Sequence, residues 1–355
     1  MTTDDEVVIE RGALATLGER VRAAAPAHRY VIITDETVGA LHGARAAASF
    51  GAARPDVLAI PPGEGSKTRE RWAQVTDELL SRGHGRDTTV VALGGGVVGD
   101  LAGFVAATLM RGVPVVQVPT TLLAMIDAAI GGKTGVDTPT GKNLVGAFHR
   151  PACVIVDPGV LATLPIRELR SGLAEAIKHG VIADAGYFAR TSADLPALLA
   201  RQGPTSDAMT ALIAGSIAIK SRVVAADERE HGRRKILNFG HTIGHAVEAA
   251  SGYTLLHGEA VAVGMATECR LAELAGVAEC GITAEVCAVL DGAGLPIGIP
   301  PTLAAGDLVA RTHHDKKARA GSVEYALPVR IGAMAGEERG WSIPLPDAFV
   351  HDALA

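Results

Sequence analysis

The sequence predicts an α/β domain with a parallel, Rossmann-like sheet, followed by an all-helical domain. In the first half of the chain, short apolar runs with strand character alternate with amphipathic segments, as in a parallel sheet covered by helices. Strand signals stop near Pro165, and only helical periodicity follows. The 355 residues exceed the length of one average domain. We therefore expect two domains, over residues 1–165 and 166–355.

The individual elements are set by apolar runs and by the residues that end them. The expected strands cover residues 30–34, 56–60, 88–93, 114–118 and 154–157. One helix is expected over residues 71–81. In the second half, helical spacing predicts helices over residues 167–179, 208–224, 240–250 and 259–275, with Gly180 and Gly276 as end signals.

Composition narrows the class of protein. The chain is 48% hydrophobic and carries a formal charge of −6, while only 3% of its residues are aromatic, so a nucleic-acid partner is not expected. Cys153, Cys269, Cys280 and Cys287 form no Cys-x-x-Cys pair, and we interpret them as reduced core thiols of a cytoplasmic protein. The acidic start lacks the pattern of a signal peptide, and no apolar run is long enough to span a bilayer.

Three histidines indicate a metal site in the second domain. His241 and His245 are four residues apart and so share one face of a helix, and His257 follows after a turn. Such a pair alone is equally well explained by solvated or core histidines. The third histidine and a carboxylate upstream favour zinc, which is often held by two histidines and one carboxylate with a position left open.

Two glycine-bearing segments in the first domain suit anionic groups. Residues 94–100 follow a strand and open a helix, so their backbone can approach a pyrophosphate. Residues 127–134 and 141–143 place two lysines and an asparagine on what we expect to be glycine loops. The spacing does not fit a P-loop. Ordinary tight turns with solvated lysines remain an alternative for both segments.

Charged residues in the second domain have a functional and an ordinary interpretation. Glu175 and Lys178 are three apart and are neighbours on one helix face, which is also usual for a surface ion pair. Lys220 and residues 230–235 form a charged approach to Asn238, and residues 313–317 form another charged run. Solvated helix ends would explain both equally well.

Taken together and in this order, the motifs resemble those of 3-dehydroquinate synthases, members of the sugar-phosphate cyclase family. The resemblance extends from about Thr34 to Gly332. It rests on residues 62–67, 94–111, 118–146, 164–180, 238–248, 257–259 and 315–317.

The resemblance implies where a metal and NAD bind. The ligands of a zinc or cobalt ion would be Glu175, His241 and His257, so His245 would contact the substrate instead. The NAD pyrophosphate would meet Gly95, Gly96 and Val97, with Asp100 nearby. Further NAD positions would be Asp35, Glu64, Lys67, Thr120, Thr121, Leu123, Lys142, Thr163, Leu164 and Glu168.

The resemblance also implies the substrate contacts and a partner. The catalytic set would be Asp127, Lys133, Lys178 and His245. Further substrate contacts would be Asn143, Lys220, Arg234, Asn238 and Lys316. Arg111 matches an arginine that the family supplies to the neighbouring subunit's site, which implies a homodimer.

The family converts 3-deoxy-D-arabino-heptulosonate 7-phosphate into 3-dehydroquinate and phosphate, a step of the shikimate pathway. The sequence of events is transient oxidation, phosphate elimination, re-reduction and aldol cyclisation. Arg234 suits the carboxylate of that substrate, because a guanidinium can bind it through two hydrogen bonds. The chain departs from the family pattern at Ala128 and Ala129, where two serines are common, and at Thr37, where asparagine is common.

Three other functions compete with this expectation. A sister cyclase would act on a sugar phosphate without a carboxylate, which would leave Arg234 without its partner. A metal-dependent polyol dehydrogenase of related fold would not need the phosphate-suited Lys133, Asn143 and Lys316. A non-catalytic NAD- or metal-binding protein would not need the full set of ligands and charged contacts.

Overall fold

The computed structural model describes residues 6–313 and 323–354, in two compact units, Met1–Leu164 and Pro165–Ala355. The predicted phosphate contact Lys316 lies outside the described residues, as do Asp315 and Lys317.

A six-stranded sheet, in which all neighbouring strands are parallel, forms the centre of the first unit. Its strands are β1 (Val7–Ile9), β2 (Arg29–Asp35), β3 (Asp56–Ile60), β4 (Thr88–Gly94), β5 (Val115–Pro119) and β8 (Cys153–Val156), while β6 (Lys133–Thr138) and β7 (Gly141–Phe148) form a separate hairpin. The order across the sheet is β1-β8-β5-β4-β2-β3. β2 and β4 are adjacent. After β2 the chain adds β3 on one side of this pair, and after β4 it adds β5 and β8 on the other side. The carboxyl ends of this pair mark the reversal of strand order, where open α/β sheets bind their ligands.

The five predicted strands are all present, and no end is shifted by more than one residue. Every residue of β4 is buried, as expected for a parallel strand covered on both faces. The sequence missed β1, because three half-buried residues at a sheet edge give almost no apolar signal. The sheet confirms the predicted fold class of the first unit.

Among the described residues of the first unit there are five α-helices. They are α1 (Leu17–Ala24), α2 (Glu36–Val38), α3 (Ala44–Ala48), α4 (Arg69–Ser81) and α5 (Gly96–Thr108). The main core joins α4 and α5 to the sheet, with Leu79 and Val105 packed in one cluster with Val31 and Val90. α5 therefore has a fixed position at the carboxyl end of β4, directly after the glycine turn.

Most of the second glycine-bearing region is a β-hairpin, so the expectation of glycine loops is wrong for Lys142 and Asn143, whereas Gly131 and Gly132 do form a turn directly before Lys133. β6 begins at Lys133, and Lys142 and Asn143 lie in β7. Glycines permit close strand pairing here, since a Cβ on Gly146 would lie 2.1 Å from the carbonyl oxygen of Thr134. Period-two alternation is weak in a strand so rich in glycine, which is why the sequence did not reveal it.

The second unit is predominantly helical, as predicted. Its helices are α6 (Ile166–Ala183), α7 (Ala185–Leu198), α8 (Asp207–Ala226), α9 (His241–Ala250), α10 (His257–Leu274), α11 (Ile282–Gly292), α12 (Ala305–Thr312) and α13 (Asp347–Leu354). Two short strand pairs were not predicted: β9 (Glu324–Tyr325) with β12 (Ile343–Pro344), and β10 (Pro328–Arg330) with β11 (Ala333–Met334). Strands of two or three residues leave no periodic signal.

α8 is long and apolar enough to cross a membrane, by length and composition alone. However, 50% of that apolar stretch is buried inside the unit. The helix also buries Ser216 and Lys220. The core helix of a soluble protein has the same character, so α8 gives little support to a membrane span.

The four cysteines are free thiols in different surroundings. Cys153 and Cys269 are buried, and Cys287 is partly exposed. Cys280 is exposed, so the prediction of a core thiol is wrong there. Burial raises the pKa of Cys153 to about 11 and that of Cys269 well above its usual range, which makes both poor nucleophiles.

α6 continues past Gly180, so the predicted helix end there is wrong. A Cβ on Gly180 would lie 2.8 Å from both Cα and Cβ of Phe188 in α7. The glycine is needed for close packing of two helices and does not terminate the first. The turn comes at Asp184, whose side chain accepts a hydrogen bond from the backbone N–H of Tyr187 and caps α7.

Gly180→Ala should lower the free energy of unfolding by about 1–3 kcal/mol, because overpacking outweighs the better helix propensity of alanine. Gly306→Ala is the matched control, since Gly306 also lies in a helix but has open space around its Cβ position. That control should be neutral or stabilising by up to about 1 kcal/mol. Urea denaturation measures both, and equal effects of the two changes would contradict the packing role of Gly180.

Candidate active site

The carboxyl ends of β2 and β4 carry the first group of predicted NAD residues. Asp35 ends β2, and its side chain accepts a hydrogen bond of 2.9 Å from the backbone N–H of Val38. β4 ends at Gly94, and α5 begins at Gly96 with Val97 and Asp100 in its first turns. Asp35 and the turn between β4 and α5 therefore both lie where the strand order reverses.

The glycines of this turn have a steric function. A Cβ on Gly94 would lie 2.6 Å from Val98, and one on Gly99 would lie 2.9 Å from the side-chain oxygen of Gln117. Gly95 and Gly96 have more space, with nearest neighbours at 3.2 and 3.4 Å. Gly94 and Gly99 therefore serve packing. Gly95 and Gly96 leave the amino terminus of α5 without side chains, which suits an anion.

The loop after β5 lies beside the same turn. The backbone N–H of Thr120 donates to the carbonyl oxygen of Gly94 at 2.9 Å. A Cβ on Gly95 would lie 3.2 Å from the methyl group of Thr121. Leu123 follows in the same turn, before the helical segment that contains Asp127. The structure thus brings Thr120 and Thr121 next to the glycine turn, as their assignment to one ligand requires.

A buried lysine joins three carboxylates in the first unit. The ammonium nitrogen of Lys67 lies 2.7 Å from Glu64, 3.4 Å from Asp100 and 3.7 Å from Asp137. Lys142 adds a second ammonium 3.5 Å from Glu64. The cluster therefore unites four predicted NAD residues with Asp137, which was not predicted.

The charges of this cluster depend on one another. Burial raises the pKa of Asp100 to about 6, although Lys67 opposes this. Burial also acts to raise the pKa of Glu64, but the ammonium groups of Lys67 and Lys142 outweigh it and lower that pKa. The three carboxylates together outweigh the effect of burial on Lys67 and raise its pKa. Lys67 is therefore a permanent cation that holds the cluster together.

Asp137 also holds the hairpin that carries Lys142 and Asn143. Its carboxylate accepts a hydrogen bond of 2.8 Å from the backbone N–H of Asn143, which has a left-handed backbone with φ of 53°. Its own backbone N–H donates to the carbonyl oxygen of Lys67 at 2.7 Å. The sequence could have indicated this role of Asp137, because it is the only acidic residue between Lys133 and Asn143.

Arg111 lies in an unusual turn at the end of α5. Met110, Arg111 and Gly112 have φ values of 51°, 71° and 120°, three successive positive values. Left-handed backbone is costly for residues other than glycine, and such strain is often kept at functional positions. The side chain of Arg111 is exposed.

The remaining predicted NAD residues lie near residue 164, on either side of it. The hydroxyl of Thr163 is 3.0 Å from a ring nitrogen of His42, and Leu164 is the last residue of the first unit. Glu168 lies in the first turn of α6 in the second unit, where burial raises its pKa.

In the second unit, one buried carboxylate faces two of the three histidines. Glu175 is completely buried, and its Oε1 lies 3.5 Å from Nε2 of His241 and 3.6 Å from Nε2 of His257. One possible ligand atom from each residue lies within 4.8 Å of the others. A tetrahedral zinc ion with bonds near 2.0–2.1 Å would place its ligand atoms about 3.4 Å apart. The three residues therefore fit such an ion.

The histidine rings are oriented by groups behind them. Nδ1 of His241 is 3.0 Å from the carbonyl oxygen of Phe239, which favours a proton on Nδ1 and leaves Nε2 free of one. Nδ1 of His257 lies 3.7 Å from the buried carboxylate of Glu248. Such outer partners are typical of histidines that bind metals. Glu248 was not predicted, although its position three residues after His245 was visible in the sequence.

Burial and the Lys178 ammonium lower the pKa of His241 well below its usual value. For His257, burial acts in the same direction, but the carboxylates of Glu175 and Glu248 outweigh it and raise the pKa to about 9. A cation between these groups would replace the proton on His257.

His245 lies close to the other two histidines and is partly exposed. Its ring centroid is 5.4 Å from that of His241 and 6.0 Å from that of His257. His245, Glu248 and His257 also have potential ligand atoms within 4.8 Å of one another. Among the described residues of the second unit, distance alone therefore allows two metal groups, which share His257.

Glu175 and Lys178 form a buried ion pair, so the alternative of a surface pair is wrong. Their charged atoms are in contact, and the side chains are 0% and 1% exposed. The Lys178 ammonium therefore lies beside the carboxylate that faces the two histidines.

A tight loop positions the predicted carboxylate contact Arg234. Asp227 accepts hydrogen bonds from the backbone N–H groups of His231, Gly232 and Arg234, at 3.0, 2.7 and 3.0 Å. These bonds outweigh burial and lower the pKa of Asp227. The Arg234 guanidinium is buried and donates to the carbonyl oxygen of Glu228 at 2.5 Å.

Two other predicted contacts lie in or near this loop. Lys220 is buried in α8, so a solvated helix end does not describe it. The side-chain amide of Asn238 donates to the carboxylate of Glu230 at 2.7 Å, and Glu230 has a left-handed backbone with φ of 61°. The loop thus holds its polar side chains in fixed positions directly before Gly240 and His241.

Two family models cover most of the chain. The one described as 3-dehydroquinate synthase N-terminal matches residues 57–171, and the one described as 3-dehydroquinate synthase C-terminal matches residues 172–318. The 3-dehydroquinate synthase of Caulobacter vibrioides is 45% identical over 336 residues, which are 92% of this chain and 90% of that protein.

Solved structures of related cyclases share the fold. A 2-epi-5-epi-valiolone synthase from Streptomyces hygroscopicus with bound NAD+ and Zn2+ superposes with a TM-score of 0.88 and 30% identity, over 100% of this chain and 96% of that one. A 2-deoxy-scyllo-inosose synthase in complex with carbaglucose-6-phosphate, NAD+ and Co2+ gives 0.89 and 27%, over 98% and 95%. From its family models and its 45% identity to a 3-dehydroquinate synthase, this chain belongs to the 3-dehydroquinate synthase family.

Proposed function

We propose that the first unit binds NAD and that the second binds a divalent metal. The chain is an NAD- and metal-dependent carbon–oxygen lyase with 3-dehydroquinate synthase activity. It converts 3-deoxy-D-arabino-heptulosonate 7-phosphate into 3-dehydroquinate and phosphate. The group of Glu175, His241 and His257, which is built around a buried carboxylate, is the observation that best supports the division of roles.

The residues at the carboxyl ends of β2 and β4 suit NAD. The open amino terminus of α5 at Gly95 and Gly96 would take the pyrophosphate, and Asp35 would accept hydrogen bonds from ribose hydroxyls. Lys67 would hold Glu64 and Asp100 in position around the ligand, since its ammonium contacts both. When bound, NAD takes up a hydride and returns it, so the reaction has no net redox change.

The metal ligands would be Glu175, His241 and His257. When bound, the metal orients the substrate hydroxyls and polarises the one that is oxidised. We prefer this set to the group around His245, because Oε1 of Glu175 lies 3.5 and 3.6 Å from Nε2 of His241 and His257, close to the separation of ligand atoms around a tetrahedral zinc ion. His245 and Lys178 would then contact the reacting end of the substrate.

The charged side chains suit the two ends of the substrate. Arg234 and Lys220 would bind the carboxylate, and the loop around Asp227 holds Arg234 in a fixed geometry before the ligand arrives. Lys133, Asn143, Asn238, His245 and Lys316 would bind the phosphate. Asp127 would complete the catalytic set with Lys133, Lys178 and His245.

We further propose a homodimer in the cytoplasm, in which Arg111 reaches the partner's site. The strained turn at Met110 and Arg111 presents an exposed arginine. The β7 strand exposes Leu144 and Phe148 by 43% and 54%, an apolar surface suited to a second copy.

The reaction and the role of Arg234 can be tested together. With NAD and Co2+, the purified protein should release phosphate from the heptulosonate phosphate and not from sedoheptulose 7-phosphate, which lacks the carboxylate. Arg234→Lys should raise KM at least about tenfold with little effect on NAD binding, because an ammonium cannot replace the two-pronged contact. Release from sedoheptulose 7-phosphate alone would indicate a sister cyclase, and net NADH formation a dehydrogenase.

The division among the histidines predicts opposite behaviour for two alanine variants. His257→Ala should weaken Zn2+ binding by more than about a hundredfold, since loss of a ligand costs more than loss of an outer partner. His245→Ala should bind Zn2+ as the unchanged protein does and yet lose turnover. Zinc content after dialysis against a metal buffer measures both. Zinc loss in His245→Ala would favour the alternative group with Glu248.

The position of Arg111 can be tested by mixing inactive subunits. Arg111→Ala and His245→Ala should each be nearly inactive. If Arg111 acts across the dimer, half of a random mixture is heterodimer with one intact site, so about a quarter of the activity should return. A mixture that stays inactive after subunit exchange, verified by mass spectrometry of the dimers, would place Arg111 in its own subunit's site.

A further inference from the structure

α9 begins at His241 without a capping side chain of its own. Its N-cap residue is Gly240, which has a left-handed backbone with φ of 78° and no side chain that could accept a hydrogen bond. The first backbone N–H groups of a helix need an acceptor from outside the helix. A helix that starts in the protein interior therefore needs a neighbour to supply one.

Glu268 in α10 supplies that acceptor. Its side chain is completely buried. Oε2 accepts a hydrogen bond of 2.7 Å from the backbone N–H of Gly240, and Oε1 accepts one of 3.1 Å from that of Ile243. The two bonded N–H groups therefore belong to residues on either side of His241 in the sequence. A negatively charged carboxylate is also favourable at the amino terminus of a helix.

Glycines bring the two helices close enough for this contact. A Cβ on Gly264, one turn before Glu268, would lie 1.9 Å from the carbonyl oxygen of Gly240. A Cβ on Gly244 would lie 3.1 Å from the backbone of Val261. The backbones of α9 and α10 are therefore in direct contact, and the start of α9 has little freedom to shift along α10.

We propose that Glu268 is a positioning residue for the metal site. It fixes the helix start that carries His241 relative to α10, whose first residue is His257. This inference rests on the ligand set proposed above. It concerns the geometry of the apoprotein, so metal affinity and amide exchange can test it without an activity assay.

The chain contains a matched control on the same helix. Glu273 accepts hydrogen bonds from the backbone N–H groups of Gly281 and Thr283 at 2.7 and 3.2 Å. Gly281 is the left-handed N-cap of α11, with φ of 98° and no capping side chain of its own. The same device is therefore used twice, and α11 carries none of the proposed ligands.

Glu268→Gln keeps the shape of the side chain, but its amide can accept only one of the two N–H groups. Co2+ affinity, measured by competition with a chelator, should fall about tenfold or more, and excess Co2+ should restore the visible spectrum. Glu273→Ala removes the oxygen that accepts from both Gly281 and Thr283, so it should lower the Tm of the metal-free protein yet keep Co2+ affinity within about twofold. Unchanged affinity in Glu268→Gln, together with metal loss in His241→Ala, would overturn the inference and leave the ligand set intact.

The unchanged protein offers a second test that does not depend on how the variant folds. If Glu268 couples the start of α9 to the metal, Zn2+ should slow amide hydrogen exchange at Gly240 and Ile243 at least about tenfold more than at Gly281 and Thr283. Equal protection at both helix starts would overturn the inference. Normal Zn2+ binding by His241→Ala would overturn the proposed ligand set and this inference with it.

Discussion

The constraint on which the second unit depends is the burial of Glu175. A carboxylate with no exposure to water loses its hydration, and that cost is several kcal/mol unless positive or hydrogen-bonding groups surround it. Lys178 on the same helix is one such group, and the rings of His241 and His257 arrive from two other helices. Three helices must therefore meet at one point, and the remaining contacts of the unit keep them there.

α10 holds the helix starts around this point. It carries His257 at its first position, and its acidic residues accept hydrogen bonds from backbone N–H groups at three helix starts. Glu259 accepts from Leu256 at its own start, Glu268 from Gly240 and Ile243, and Glu273 from Gly281 and Thr283. Because Gly240 and Gly281 have no side chains, the acceptor must come from α10. The orientation of α9 is thereby tied to the helix that carries the other histidine.

Periodicity predicted five of the six strands of the sheet and the helices α4, α6, α8, α9 and α10, since long apolar patterns record burial directly. It could not reveal β1, the hairpin or the extent of α6, because these depend on three-residue pairing or on close approach at glycines. Residue type and spacing indicated only the three histidines as metal ligands, and the resemblance to the family then implied Glu175, His241 and His257 as the ligand set. The sequence did not predict the acidic residues that hold the predicted site residues in position, which are Asp137, Glu248 and Glu268. In the sequence they look like any other acidic residues, and only the fold shows which groups they contact.

The departure from the family pattern at Ala128 is best understood at the glycine turn. A Cβ on Gly96 would lie 3.4 Å from the methyl group of Ala128, so this methyl faces the first turn of α5. A serine there would add a hydroxyl that can accept from the same N–H groups that suit a pyrophosphate. Alanine fills the space without competing for those donors. The substitution therefore preserves the shape of the turn and leaves its hydrogen bonds to the ligand, which is compatible with NAD binding in this chain.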